Sequence, residues 1–232
     1  KFFSGVPDSI LKNFSFYLQK HKQNTNFIAA NEGSAVSIGI GHYLETGNLP
    51  CIYLQNSGLS NSINPLASIA HTDVYAIPLL LIIGWRGAPG IKDEPQHIVK
   101  GKITTQILKL LKIEYCILNN DKDLKKLDNL TKKALKRKKI VACLVRQNVL
   151  KYSKKSKNIN ILKNHINKNE FFNSFLKLIT KNSNIITSTG YTSRSLLKFR
   201  SQKNYQNKGK DFYMVGGMGH TSMVSLGVAL KS

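Results

Sequence analysis

Short apolar runs alternate with stretches of helical spacing along almost the whole chain. The runs are Phe27–Ala30, Cys51–Leu54, Val74–Ile83, Tyr115–Leu118 and Ile140–Val145, followed by Asn184–Thr187 and Phe212–Val215. Between them lie helical patterns over Glu32–Leu44, the stretch after the polar turn Gln55–Gly58, Ile103–Leu111 and Asp123–Lys138, then Glu170–Thr180 and His220–Leu230. A repeated strand–helix order is the signature of a parallel sheet covered by helices, so the expected class is a doubly wound α/β fold. The polar, Lys- and Asn-rich stretch 151–168 reads as a linker. It separates a first unit, 1–150, from the front half of a second α/β unit, 169–232.

At 232 residues and 41% apolar content the chain can bury a core of this kind. Its formal charge of +23 raises nucleic-acid binding as a function. Position argues against it: residues 1–99 carry six basic and six acidic side chains, and the rest carry 29 basic against six acidic. The excess is nearly all lysine, without the arginines and stacking aromatics of a base reader, so it reads as a solvated surface that favours anionic substrates. No specific nucleic-acid partner is expected. The three cysteines, Cys51, Cys116 and Cys143, are widely spaced within apolar runs and lack a C-x-x-C pairing, which argues against a disulfide framework or a zinc site. Ala76–Gly84 is about half the length a membrane span needs, so no membrane partner is expected and a cytoplasmic setting is the simplest reading. The missing initiator Met and the stop at Lys231-Ser232 read as cuts in a longer protein.

Several residues sit where chemistry is commonly placed. Glu32 lies at a strand-to-helix turn, where unpaired backbone N–H groups favour a carboxylate whether or not it has a further role. Asp8 precedes the amphipathic run Ile10-Leu11-Phe14 and serves either as a helix cap or as an acid–base group. His97 reads as part of a polar loop, where an imidazole can shuttle protons. The turn Asn56-Ser57-Gly58 follows a strand's carboxyl end, where open α/β sheets hold ligands. Arg86, between Trp85 and Gly87, offers a fork for a phosphonate, sulfonate or carboxylate.

Five runs in order, GVPDSILKNF (5–14), IAANEGSAVSIGIGHYLETG (28–47), IYLQNSGLSNSINPLASIA (52–70), IPLLLIIGWRGAPGIKDEPQH (77–97) and GGMGHTSMVSLGVAL (216–230), resemble the phosphonopyruvate decarboxylases. These are thiamine-diphosphate-dependent enzymes, and the sulfopyruvate decarboxylases are their nearest relatives. The resemblance implies a pyrimidine-binding domain over 1–150 and the start of a diphosphate-binding domain over 169–232. It implies that Glu32 hydrogen-bonds the aminopyrimidine ring nitrogen N1′ and that Asp8 and His97 act as acid–base groups. By the same resemblance Asn56, Ser57 and Gly58 flank the aminopyrimidine, and Thr189, Gly190 and Tyr191 form a turn at the diphosphate. Met218 would prop the cofactor in its bent shape, and the Gly216 carbonyl would accept a hydrogen bond from N4′.

The implied reaction is non-oxidative decarboxylation of 3-phosphonopyruvate, a small anionic 2-keto acid, to phosphonoacetaldehyde and CO₂, as a step of phosphonate biosynthesis. The implied cofactors are thiamine diphosphate and Mg²⁺, and sites shared between subunits imply a homodimer or larger homo-oligomer. The Gly-Asp-Gly run that holds Mg²⁺ in that family does not occur here. Its ligands are expected beyond Ser232, which would leave the fragment inactive alone. Three other readings stay open: a sulfopyruvate decarboxylase, a basic non-catalytic binding module, and a fused regulatory subunit without activity.

Overall fold

A computed structural model describes residues 1–151, 166–180, 182–202, 209–217 and 219–230. The chain divides into two compact units, Lys1–Lys154 and Lys155–Ser232. The expected linker lies outside the described residues over 152–165.

The first unit is a six-stranded, wholly parallel sheet. Its strands are β1 (Phe3–Gly5), β2 (Asn26–Ile28), β3 (Cys51–Gln55), β4 (Leu79–Gly84), β5 (Glu114–Leu118) and β6 (Ile140–Val145), in the spatial order β2-β1-β3-β4-β6-β5. Its helices are α1 (Lys12–His21), α2 (Glu32–Thr46), the single turn α3 (Ile63–Pro65), α4 (Pro95–Leu110) and α5 (Leu124–Arg137). Every residue of β3 and β6 is buried. That is why both read as continuous apolar runs rather than as alternating patterns.

The pleat sends successive residues to opposite faces. Ile52, Leu54, Leu79, Leu81, Ile83, Ala142 and Leu144 join Ala35, Val36 and Ile40 of α2 and Leu108 of α4 in one core. Cys51, Tyr53, Ile82, Cys143 and Val145 join Leu11 and Leu18 in the other. Each fully buried Leu or Ile contributes roughly 1.5–3 kcal/mol, so the two cores fix the sheet between its helical layers. All three cysteines are free thiols, and burial pushes the Cys51 thiol up to about 12.

The structure corrects several sequence expectations. β1 was not legible: it is three residues long, yet it pairs with both β2 and β3. The run Phe27–Ala30, read as a buried strand, is the edge strand Asn26–Ile28, with Phe27 48% and Ile28 56% exposed. The stretch after Gln55 is not one helix. It makes a 3₁₀ segment, Asn56–Ser62, then α3, then a wide π turn, Leu66–Ala70. β4 begins at Leu79 rather than Val74, because Ala76 turns at φ 51° and Pro78 lacks an N–H for the ladder. α4 begins eight residues before the expected helix, so His97 lies on its first turn and not in a loop. Pro95 in the first turn supplies the fixed φ that starts it.

The second unit contains α6 (Lys168–Leu178), β7 (Asn184–Thr187), α7 (Tyr191–Arg200), β8 (Lys210–Tyr213) and α8 (Thr221–Ala229), with β7 and β8 parallel. Asn167 and Glu170 form a reciprocal cap on α6. Phe172, Leu176, Leu196 and Phe199 make a small core. β8 lies two residues before the expected Phe212–Val215, because its anchor is polar: Arg200 donates to both oxygens of Asp211 at 2.7 and 2.9 Å. α7 was not foreseen. Among the described residues no helix is long and apolar enough to cross a membrane.

Candidate active site

In a doubly wound sheet the carboxyl ends of the strands form the rim at which ligands bind. The loops leaving β1, β2, β3 and β4 carry Asp8, Glu32, Asn56-Ser57-Gly58 and Arg86, and α4 brings His97 to the same rim. All the sequence-selected residues of the first unit are therefore gathered at one edge.

Glu32 is the first residue of α2. Asn31, in extended conformation, caps the helix by accepting from Ser34 N at 2.9 Å, which frees the Glu32 side chain to turn inward. Its carboxylate is buried. Oε2 accepts from Asn61 Nδ2 at 2.9 Å, and Oε1 lies against the bare backbone of Gly58, where a Cβ would stand 2.2 Å away. Among the described residues Oε1 receives no hydrogen bond. A carboxylate oxygen with a free lone pair, at the ligand edge of the sheet, can accept a hydrogen bond from a nitrogen that carries a proton.

The turn after β3 is a clamp. Asn56 donates to Arg86 O and to Thr104 Oγ1, both at 2.9 Å, and accepts from Arg86 N at 3.0 Å. Its side chain thus ties the ends of β3 and β4 to α4, while Gly58 faces Glu32. Ser57 Oγ donates to Gln55 Oε1 at 2.6 Å, and Gln55 Nε2 donates to Asp8 Oδ1 at 2.7 Å. Lys100 Nζ reaches Ser57 O at 3.4 Å and Ser60 Oγ at 3.2 Å, placing a cation over the same turn.

Asp8 is buried, and its Oδ2 accepts from Ile10 N and Leu11 N at 2.9 and 3.1 Å. It thereby organises the entry to α1, as a capping carboxylate does, while Oδ1 faces Gln55. Arg86 meets Asp93 with both prongs of its fork, Nε at 2.8 Å and Nη2 at 2.5 Å, and Asp93 also accepts from Gly87 N at 2.8 Å. This pairing raises the Arg86 pKa and holds the Asp93 carboxyl well below the usual carboxylate range. The remaining nitrogen, Nη1, donates to Ser9 Oγ at 3.0 Å, so the edge of the guanidinium that Asp93 does not engage faces Ser9.

Gly87, at φ 63°, packs its Cα side on His97 O, where a Cβ would come within 2.1 Å. His97 Nδ1 is buried without a hydrogen-bond partner. Burial, and then the nearby Arg86 charge, lower the His97 pKa against the opposing pull of Asp93, Asp8 and Glu94. A neutral imidazole with an unused ring nitrogen is ready to accept a proton.

In the second unit, β7 ends at Thr187 and α7 begins at Tyr191. Gly190 between them takes φ 87°, a conformation that favours glycine. Thr189, Gly190 and Tyr191 lie exposed or nearly so at the start of α7. Ser193 fixes the turn from below, bonding Thr187 Oγ1 and Ser188 O, both at 2.6 Å. Gly216 lies just past β8, and Met218 lies outside the described residues. Among the described residues no group of three or more His, Cys, Asp or Glu could hold a metal ion. A groove of about 670 Å³ beside β5 and α5 is lined by Lys126 and Lys133, but these pair with Asp123 and Glu114, and no residue of the rim enters it.

Sequence reading missed Gln55, Asn61, Asp93 and Thr104. Asp93 alone had a local signal: an acid seven residues after an arginine in a loop rich in Gly and Pro.

Residues 1–129 match the thiamine pyrophosphate enzyme N-terminal TPP binding domain. The chain is 30% identical over 245 residues to a phosphonopyruvate decarboxylase of Streptomyces hygroscopicus, an alignment covering 99% of this chain and 59% of the relative. It is 37% identical over 113 residues to a sulfopyruvate decarboxylase subunit alpha of Methanocaldococcus jannaschii, covering 48% of this chain and 64% of that subunit. The fold is similar to that of a benzoylformate decarboxylase from Polynucleobacter necessarius, with a TM-score of 0.50 at 15% identity, over 79% of this chain and 34% of the other. The chain thus spans about 59% of the length of the phosphonopyruvate decarboxylase it matches.

Proposed function

We propose, since this chain belongs to the thiamine pyrophosphate enzymes through their N-terminal TPP-binding domain, that it comprises the pyrimidine-binding domain and the start of the diphosphate-binding domain of a decarboxylase of 3-phosphonopyruvate. The observation that carries the reading is the setting of Glu32: a buried carboxylate at the ligand edge, with one oxygen held by Asn61 and the other open beside Gly58. That donor set fits the ring nitrogen of an aminopyrimidine, which needs a carboxyl group able to share a proton and no side chain where the ring would lie. When bound, thiamine diphosphate supplies the electron sink on which a 2-keto acid loses CO₂.

The chain's own residues then have separate tasks. Glu32 holds a proton at Oε1, and Asn61 keeps the carboxylate from rotating away. The Asn56–Ser57–Gly58 turn, tied to Arg86 and Thr104 through Asn56, forms a wall of the pocket. Asp8 and His97, on either side of Arg86, move protons near the reacting carbon. His97 brings an imidazole whose Nδ1 has no hydrogen-bond partner among the described residues. Arg86, which shares its charge with Asp93, and Lys100 are the cationic donors that this rim offers an anionic substrate.

In the second unit, the turn Thr189-Gly190-Tyr191 offers backbone N–H groups and a glycine at a helix start, suited to a diphosphate. Gly216 and Met218 keep the cofactor-supporting roles that the resemblance assigns to them. Mg²⁺ would be held by ligands in another part of the whole protein. Similarity over nearly the whole chain to a phosphonopyruvate decarboxylase supports the phosphonate over the sulfonate, because the sulfopyruvate relative matches only half of it. That relative is named a subunit, in keeping with an oligomer.

The test is CO₂ release by the whole protein with thiamine diphosphate and Mg²⁺, comparing 3-phosphonopyruvate, sulfopyruvate and pyruvate. The phosphonate should be turned over with the highest kcat/KM, and Glu32→Gln should abolish the reaction. Wild-type turnover by that variant would sink the reading.

A further inference from the structure

Gln55, the last residue of β3, is a buried amide engaged at both ends. Its Nε2 donates to Asp8 Oδ1 at 2.7 Å, and its Oε1 accepts from Ser57 Oγ at 2.6 Å. An amide has one donor end and one acceptor end, and a carboxylate only accepts, so the chain Ser57→Gln55→Asp8 has a single direction. The opposite Asp8 oxygen is fixed by Ile10 N and Leu11 N and sits over Gly84, where a Cβ would lie 2.1 Å from Oδ2. Asp8 is therefore held from both sides, and among the described residues Gln55 is its only side-chain donor closer than 3 Å.

Asp8 needs a donor at Oδ1, and an amide that supplies one must have its own oxygen matched, as Ser57 matches it here. What the amide adds is direction: it ties one carboxylate orientation to the turn that, on the reading above, flanks the aminopyrimidine.

We propose that Gln55 is a positioning residue for the reaction, holding Asp8 in one orientation and coupling it through Ser57 to the wall of the cofactor pocket. This inference rests on the decarboxylase reading for Asp8's role, but not for the geometry. The charged or titratable groups that face Asp8 are Arg86, on the loop after β4, and His97, on α4. Both are left in place by changes at Gln55.

The experiment uses the whole protein with thiamine diphosphate, Mg²⁺ and 3-phosphonopyruvate, and the variants Gln55→Leu, Gln55→Glu and Ser57→Ala. Gln55→Leu removes the donor and should lower kcat about 10- to 100-fold, within the range for misplacing an acid–base group, with KM changed less than about threefold. Gln55→Glu sets two carboxyl groups at hydrogen-bond distance. They must share a proton near neutrality, so the ionisation that controls the rate should move to higher pH by about one unit or more. Ser57→Ala frees only the far end of the amide and should lower kcat about 3- to 10-fold.

A readout independent of turnover is the ¹³C titration of the Asp8 carboxyl, which should differ between wild type and Gln55→Glu. Gln55→Leu with wild-type kcat, KM and pH profile would overturn the proposal, as would an unchanged Asp8 titration in Gln55→Glu. Should Gln55→Leu not fold, the two polar variants decide. If the wild type decarboxylates no 2-keto acid, the function reading fails, and the Asp8 titration still decides whether Gln55 sets that carboxyl group.

Discussion

Glu32 and Gly58 touch: a Cβ built on Gly58 would stand 2.2 Å from both Cδ and Oε1 of the Glu32 carboxyl group. The glycine is thus required by the neighbour's position, not by its own backbone, whose φ is not in the left-handed region. Gly58→Ala should push the carboxylate off Asn61 and out of reach of a ligand. The expected outcome is loss of thiamine diphosphate binding by at least about tenfold, from one misplaced charge-assisted hydrogen bond. Calorimetric titration of the whole protein checks it, and Gly41→Ala, with open space around its Cβ, is the control.

Asp93 and Arg86 form the strongest ion pair at the rim. The Asp93 side chain is 7% exposed and that of Arg86 21%, so the pair is screened less than the exposed pairs on α5. Asp93→Asn should destabilise the first unit by about 1–3 kcal/mol, read from urea midpoints. The sign of the pH effect follows from the depressed Asp93 pKa. Its contribution is fully present above the ordinary carboxylate value near 4 and is lost as pH falls below it toward the folded value. The wild type should lose stability through that acid window, and Asp93→Asn should be flatter there.

His97 carries a second pH dependence in a separate window. Its folded pKa is lowered by burial, so the unfolded chain binds the proton first as pH falls below about 6.5. Stability should therefore decline as pH falls below about 6.5, and His97→Gln should remove that slope while leaving the Asp93 window intact. Melting temperatures measured across both windows separate the two groups.

Gly101 faces the backbone of Gly87, where a Cβ would lie 1.8 Å from the carbonyl oxygen. Neither side can yield by turning a side chain. Gly101→Ala should shift α4 from the loop after β4, breaking the bond from Trp85 Nε1 to Gly101 O at 3.0 Å, and destabilise by about 3 kcal/mol or more. A near-unchanged denaturation midpoint would show that α4 is held elsewhere.

The local parts of the molecule were written in the sequence. β6 is apolar at every position and β3 at all but its last, Gln55, and Glu32 at the head of a small-residue helix gave a carboxylate. The five runs in order carried the family. Pro95 was also a legible helix start, and reading it would have placed His97 correctly. β1 escaped because three residues carry no period. The edge position of β2 escaped because a parallel sheet's order is set by which helices cross where, not by composition.

The pattern of apolar runs and helical stretches by itself determined a doubly wound sheet and the strand-to-helix turns on which Glu32 and Asn56 stand, because burial and periodicity act on neighbours in sequence. Tertiary structure alone decided what those residues touch. Asn61 meets Glu32 across 29 positions and Gln55 meets Asp8 across 47. Hydrogen bonds depend on distances of a few ångströms between elements, and no spacing along the chain encodes those until the sheet has set its strand order.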